Sequence, residues 1–116
     1  MQFAHSRLCS IERKSGLTLT GNEDLNLIVE DAGIKLIQNV ARYPEIIRIA
    51  YANLEPCTLV NYAMDLSHSI SLALESMWVI GQAQPIAEAR LRMYNAARIT
   101  LGNCMRTIGL VPLERM

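Results

Sequence analysis

Aromatic side chains and net charge are both scarce in this sequence. One Phe, one Trp and four Tyr occur among 116 residues, so the core has to be built from Leu, Ile, Val, Ala and Met. The 11 basic residues are balanced by 11 acidic ones, which excludes a general electrostatic attraction to nucleic acid. The length fits one domain, and a hydrophobic fraction of 51% supplies enough apolar surface for a core.

The sequence also lacks the usual cysteine, membrane and phosphate-loop motifs. Cys9, Cys57 and Cys104 lie far apart and form no CxxC pair, which argues against a disulfide framework and a zinc site. We expect all three cysteines to be small buried hydrophobes or inert thiols, and we expect the protein to occupy a reducing compartment. No apolar run reaches the roughly 18 residues of a membrane span. The first ten residues lack the apolar segment of a signal peptide, and no glycine-rich phosphate loop occurs.

A helical period is present over most of the chain. Apolar residues three or four positions apart predict five helices, at Phe3–Lys14, Val29–Val40, Ile46–Leu54, 56–78 and 85–108. Three prolines stand where a new helix would begin, namely Pro44, Pro56 and Pro85. Asn53 is expected to help end the short helix, and Gly109 to follow the last one as its C′ residue. Residues 15–26 form the one long loop, and we predict an all-α antiparallel bundle.

Three aromatic residues fall on the apolar stripes of the two long predicted helices. Tyr62 and Tyr94 lie within the stripes, and Trp78 lies at the end of the 56–78 stripe. Residues on such a stripe face the core of a bundle. We therefore predict that all three are core residues.

The charges are unevenly distributed along the chain. Residues 1–14 carry three cations against Glu12, a net +2; residues 15–84 carry a net −5, and residues 85–116 a net +3. If the two ends meet in space, they form one positive face, although ordinary solvated helix faces explain the pattern equally well. Arg90, Arg98 and Arg106 recur at eight-residue intervals, about two helical turns, and predict a solvated strip.

No pattern of residues defines a catalytic or metal site. His5 and Cys9 are four positions apart on one predicted helix, so a base and a nucleophile could meet, but no third residue is placed to orient the imidazole. The carboxylate pairs Asp65 with Glu75 and Glu30 with Asp31 do not define an acid–base site. We predict no catalytic residue and no metal ligand in this chain.

The C-terminal segment carries a set of ordered motifs. They are Ala89-Arg90-Leu91, Ala97-Arg98, Ile108-Gly109-Leu110, Pro112 and Glu114-Arg115-Met116. Together they closely resemble the end of arginine–tRNA ligases, fungal-type enzymes in particular. Upstream, YPEIIRIAYANLEP and FAHSRLCSIERKSG resemble the same domain and the helix that leads into it. The resemblance covers nearly the whole chain, apart from the loop at 17–26.

The resemblance implies a helical, DALR-type anticodon-binding domain. Residues 1–14 would be the helix leading from a catalytic domain, and 15–116 the bundle. The HIGH and KMSK-like signatures of the catalytic domain do not occur in these 116 residues, so the chain alone is expected to recognise RNA without catalysing aminoacylation. ATP and arginine would bind the catalytic domain, which leaves no cofactor in this chain. The implied partners are the tRNA(Arg) anticodon loop and that catalytic domain. Binding to membranes or to DNA is not expected. The implied location is cytoplasmic, with mitochondrial as the alternative.

The resemblance also implies a set of RNA-binding residues, namely Phe3, Arg7, Arg13, Leu74 and Met116. Phe3 stands where fungal-type relatives carry tyrosine, and Leu74 where a tyrosine would stack on a base. A base–aromatic stack is worth about 1–3 kcal/mol, so a leucine at 74 is expected to weaken binding.

The mechanism expected from these residues joins the two ends of the chain. A loop base would pack against Phe3 and be read by Arg7 and Arg13, with Leu110–Met116 as a wall of the same pocket. The alternative is a helical protein-interaction domain or an inactive fragment, whose arginines meet protein carboxylates.

Overall fold

The computed structural model describes residues 1–19, 21 and 23–115. Within these residues the chain forms five α-helices, one short 3₁₀ helix at Leu25–Leu27, and no strand. The helices are α1 Gln2–Ser15, α2 Asp31–Ala41, α3 Tyr43–Asn53, α4 Pro56–Ser76 and α5 Gln84–Thr107. The prediction of an all-α bundle is confirmed. None of these helices combines the length and the apolar character needed to cross a membrane.

The helix starts and the last helix end follow the sequence signals. α3, α4 and α5 each have a proline in their first two positions, where the missing N–H would have no partner in any case. α5 ends in a Schellman turn: Gly109 has φ 90°, and the Leu110 N–H donates to Met105 O at 2.8 Å. This turn ends α5 and starts the C-terminal tail, residues 110–115.

The two long helices α4 and α5 provide the centre of the core. Leu66 and Ile70 of α4 and Ala97 and Leu101 of α5 are fully buried. α2 and α3 pack on α4, and α1 packs on α5. Each element covers part of the apolar surface that a pair of isolated helices would leave in water.

Both buried tyrosines have a partner for the hydroxyl group. Tyr94 donates to Met77 O at 2.7 Å, and Tyr62 donates to Asn39 O. Burial raises the pKa of both hydroxyls, so they remain protonated donors at neutral pH. The prediction that Tyr62 and Tyr94 are core residues is confirmed.

The apolar series used for the prediction made three of the helices too long. Val29 precedes α2 and is exposed, while Ile28 is buried in its place. α3 ends at Asn53, and Leu54 follows it as a left-handed C-cap residue at φ 53°, with its side chain exposed. α4 ends at Ser76 and not at residue 78. In each case a turn or extended residue takes over where an apolar side chain still matched the helical period by coincidence.

The three cysteines are free thiols in two kinds of environment. Cys9 and Cys104 are buried, as expected of small hydrophobes. Cys57 is exposed in the first turn of α4, so of the two expected alternatives it is not a small buried hydrophobe, and an inert thiol stays the prediction for it.

The centre of α4 provides a test of the core. We expect Leu66→Ala to lower the free energy of unfolding by about 2–5 kcal/mol, because it opens a cavity at a fully buried position. Leu72→Ala, on the same helix but 43% exposed, should cost less than about 1 kcal/mol. Urea unfolding followed by circular dichroism measures both changes. Equal midpoints for the two variants would contradict this description of the core.

Candidate functional site

A cleft lies between α1 and the segment that follows α4. Arg7 and Ile11 of α1 and Leu74 of α4 line it together with residues 77–80, and its volume is about 300 Å³. A second, more polar lobe shares Val79 and Ile80 with the first and continues to Lys14 and Gln84. We call the first lobe the α1–α4 cleft.

The segment Met77–Ile80 alternates between the core and the surface. Met77 and Val79 are buried, whereas Trp78 and Ile80 are 64% and 59% exposed. Ile80 stands in a turn that the Gln82 N–H closes onto Val79 O at 3.4 Å. The backbone that leaves α4 thus buries Met77 and Val79 and leaves Trp78 and Ile80 exposed at the cleft. Met77 packs close to Gly33, where an added Cβ would lie 2.7 Å from the methionine methyl group.

The prediction that Trp78 is a core residue is therefore wrong. It assumed a helix through residue 78, but α4 ends at Ser76, and the non-helical residues after it no longer follow the helical period. The signal that could have found this is the uninterrupted apolar run Met-Trp-Val-Ile before Gly81, because four consecutive apolar residues cannot all lie on one buried stripe of a helix. Trp78 is the one exposed aromatic side chain that lines the α1–α4 cleft.

Phe3 and Arg7 form a pair at the rim of this cleft. They are four residues apart on α1, which places them about 40° apart around the helix. The Arg7 guanidinium carbon lies 5.6 Å from the centroid of the exposed Phe3 ring, a cation–π contact. A guanidinium that stacks on a ring keeps its in-plane N–H donors available. Arg7 is thus held beside the cleft with donors left for a ligand.

Leu74 lies at the floor of the cleft and is only 7% exposed. The structure therefore brings two of the residues implied by the resemblance, Arg7 and Leu74, to one site. The position of Leu74 offers apolar contact without a ring, and the ring in this cleft belongs to Trp78, four residues further along the chain.

The C-terminal tail lies along a different face of α1. The Gln2 side chain binds the tail backbone twice, donating to Val111 O at 2.8 Å and accepting from the Leu113 N–H at 2.9 Å. His5 Nδ1 lies 2.8 Å from Leu113 O. The expectation that the first and last segments meet is confirmed for this part of the tail. None of residues 110–115 lines the α1–α4 cleft, so the predicted pocket walled by the tail is not this cleft, and that pocket stays a prediction.

Arg13 contacts the tail rather than the cleft. Its Nη1 donates to Glu114 O at 3.4 Å. Arg13 is six residues beyond Arg7, about 120° around the helix and about 9 Å along it, which explains why the two side chains serve different faces. Met116 lies outside the described residues.

The α5 arginines are not a solvated strip, contrary to the prediction. Arg90 is buried, donating to Trp78 O and to Glu30 Oε1, both at 2.8 Å. Arg98 lies 3.2 Å from the carboxylate of Glu12 on α1, and of the three only Arg106 is exposed. The prediction failed because α5 is covered by neighbours on more sides than its apolar stripe indicates. These ion pairs also reduce the positive face expected from the charge distribution.

The His5–Cys9 pair does not form an activated nucleophile. The Cys9 sulfur is 3.7 Å from His5 Nδ1, but that nitrogen also lies 2.8 Å from a tail carbonyl. Burial is the main cause that raises the pKa of Cys9, which keeps the thiol protonated. Among the described residues, no group of three or more His, Cys, Asp or Glu could hold a metal ion.

The different environments of the thiols are measurable. Burial raises the pKa of Cys104 to about 11, so only roughly a thousandth of it is thiolate at pH 8. We expect an aromatic disulfide reagent to label Cys57 alone in the native protein and all three thiols in denaturant. The control is Cys57→Ser, which should leave almost no labelling in the native state. Rapid labelling of that variant would show that Cys9 or Cys104 is reactive.

The family model and the similar proteins that match this chain agree on one family. A family model described as the DALR anticodon binding domain matches residues 1–116. The chain is 46% identical to a probable cytoplasmic arginine–tRNA ligase of Dictyostelium discoideum and 44% identical to the cytoplasmic arginine–tRNA ligase of Saccharomyces cerevisiae. It is 37% identical to the mitochondrial arginine–tRNA ligase of the same yeast. These matches cover all of this chain but only 18–20% of each relative. The resemblance to this family is confirmed.

Proposed function

Since this chain belongs to the DALR anticodon binding domain family, we propose that it binds the anticodon loop of tRNA(Arg) as the recognition module of an arginine–tRNA ligase. The observation that carries the proposal is the α1–α4 cleft, which combines an apolar floor at Leu74, an exposed ring at Trp78 and a cation at Arg7. The names of the relatives point to the same partner. The chain spans about a fifth of their length. That it works as one part of a whole arginine–tRNA ligase is therefore also a proposal.

In this proposal Trp78 is the stacking surface for one base. Sequence-specific RNA binding commonly uses an unpaired base that leaves the loop and stacks on an aromatic side chain. Trp78 and Ile80 offer exposed apolar area beside the cleft, and Leu74 closes its floor. Trp78 would thus supply the π-face that leucine cannot supply at position 74.

Arg7 then contacts the sugar–phosphate backbone of the bound nucleotide. Its guanidinium stacks on Phe3 at the rim, and a planar guanidinium suits the two oxygens of a phosphate. With zero formal net charge on the chain, such local contacts have to replace a general electrostatic attraction.

The other implied residues would extend the RNA surface around α1. Phe3, 61% exposed, lies between Arg7 and the tail-facing side of the helix and offers a second ring. Arg13 holds the tail at Glu114, so its effect on RNA would pass through the tail. A direct role for Met116 stays a prediction from the family resemblance.

The chemistry of aminoacylation would belong to another part of the ligase. We infer that ATP and arginine bind a catalytic domain, and that this chain contributes RNA recognition without a cofactor of its own. We propose a cytoplasmic location, which the names of the relatives at 46% and 44% identity support. The mitochondrial relative keeps the mitochondrion as the alternative.

A protein-interaction domain is the second candidate function. It is favoured by an apolar cleft of about 320 Å³ at the ends of α3 and α5, where Tyr51 and Leu54 are 68% and 84% exposed. Exposed apolar groups of this kind are typical of protein interfaces. Absence of RNA binding in the experiments below would favour this candidate.

The stacking role of Trp78 is tested with a labelled tRNA(Arg) anticodon stem-loop and fluorescence anisotropy. We expect Trp78→Ala to weaken binding between about fivefold and 150-fold, the equivalent of about 1–3 kcal/mol for one base stack. Tyr51→Ala removes another exposed ring from α3, outside the α1–α4 cleft, and should leave the affinity unchanged. Equal losses in the two variants would contradict the assignment of the site.

The phosphate contact of Arg7 is tested by the salt dependence of the same titration. We expect Arg7→Ala to weaken binding and to reduce the slope of log K against log salt by about 0.7, the value for one phosphate of a single strand. Arg48→Ala removes the same charge from an exposed position on α3 and should leave the slope unchanged. If the slope stayed the same in Arg7→Ala, Arg7 would not contact a phosphate.

A further inference from the structure

Two consecutive carbonyl groups of the Trp78 segment are held by side chains from α5. Met77 O accepts from the Tyr94 hydroxyl at 2.7 Å, and Trp78 O accepts from Arg90 Nη1 at 2.8 Å. Arg90 and Tyr94 are four residues apart, so they lie one above the other on the same face of α5. Together they fix the course of the backbone where it leaves α4.

The second arm of Arg90 reaches a different helix. Its Nη2 lies 2.8 Å from Glu30 Oε1, and Glu30 is the residue immediately before α2. The other carboxylate oxygen of Glu30 accepts from the Val29 N–H at 3.2 Å. One guanidinium therefore connects three segments: α5, the start of α2 and the residue that bears the indole ring.

Stability alone is a poor explanation for this arginine. Its side chain is only 10% exposed, and its buried Nε has no hydrogen-bond partner among the described residues. A buried donor without a partner is unfavourable. Its partner Glu30 is 39% exposed, and an ion pair with so exposed a carboxylate contributes little to stability. The arrangement does, however, require one definite position for each partner, which is a property useful for orienting a neighbouring group.

The neighbouring group that needs orienting is the Trp78 ring. At 64% exposure, the indole is not fixed by packing on all sides, so its direction depends on the backbone that carries it. The buried side chains of Met77 and Val79 anchor the segment. The bond from Arg90 to the Trp78 carbonyl sets the rotation of the peptide that follows Trp78.

We propose that Arg90 is a positioning residue for RNA recognition, which holds the Trp78 indole in its binding orientation by pairing at once with the Trp78 carbonyl and Glu30. This inference rests on the proposed function of the α1–α4 cleft. A lysine in place of Arg90 keeps the charge but has one compact ammonium group in place of the planar fork. It is therefore expected to lose one of the two contacts while the helix remains.

The first measurement needs no RNA, because Trp78 is the only tryptophan. We expect Arg90→Lys to lower the steady-state anisotropy of its fluorescence and to increase its quenching by acrylamide, since the ring gains mobility. Arg106→Lys is the matched control, an exposed arginine on the same helix, and should change neither signal. Circular dichroism shows whether the variants keep the helical bundle. If Arg90→Lys does not fold, the double variant Arg90→Met with Glu30→Gln removes both charges at similar volume and takes its place.

The second measurement is a double-mutant cycle with the anticodon stem-loop. We expect Arg90→Lys to weaken binding roughly tenfold, and to have no further effect in the Trp78→Ala background, since its contribution passes through that ring. Equal losses in both backgrounds would show a general structural role and overturn the inference. So would wild-type anisotropy and affinity in Arg90→Lys, and these results would leave the proposed function intact. If neither the wild-type chain nor Trp78→Ala binds the stem-loop, the proposed function fails. The role of Arg90 in RNA recognition fails with it.

Discussion

The burial of α5 on several sides is the constraint on which the rest of this structure depends. This helix contacts α1, α2, α4 and the 3₁₀ helix, and its apolar stripe is too narrow to face all of them. Arginine side chains of α5 are therefore buried or half-buried at these contacts and pair with groups of the neighbouring segments. Arg90 pairs with Glu30, Arg98 with Glu12, and Arg92 donates to Glu23 O. Each partner lies on a different segment, so the polar contacts of one helix help to place all its neighbours.

The candidate site follows from this constraint. α4 ends at Ser76, and the Tyr94 hydroxyl and the Arg90 guanidinium take up the next two carbonyls. The chain then leaves the helix and enters a turn at residues 79–82, which leaves Trp78 and Ile80 exposed. α1 supplies Arg7 from the opposite side. The cleft is thus formed where one helix ends and the side chains of another replace its missing hydrogen-bond partners.

Much of the architecture could be predicted from local residues. The prolines at the helix starts, the Schellman turn at Gly109 and the buried Tyr62 and Tyr94 depend on contacts within a few residues or on one periodic stripe. The proximity of Phe3 and Arg7 also follows from their spacing on one helix. The exposure of Trp78 and the burial of Arg90 could not be predicted in this way. Both depend on where a helix stops and on which faces of α5 are covered, and the apolar period of a single helix contains neither fact.

The sequence by itself determined the helices and most of their boundaries. These properties arise from backbone conformations and side-chain periods, which act over a turn or two of helix. Only the tertiary structure decided that Arg7 faces the cleft while Arg13 faces the tail, and that an arginine of α5 holds the carbonyl of Trp78. Those outcomes depend on hydrogen bonds between residues far apart in sequence, as in Arg90 with Glu30, which form only once the helices have packed.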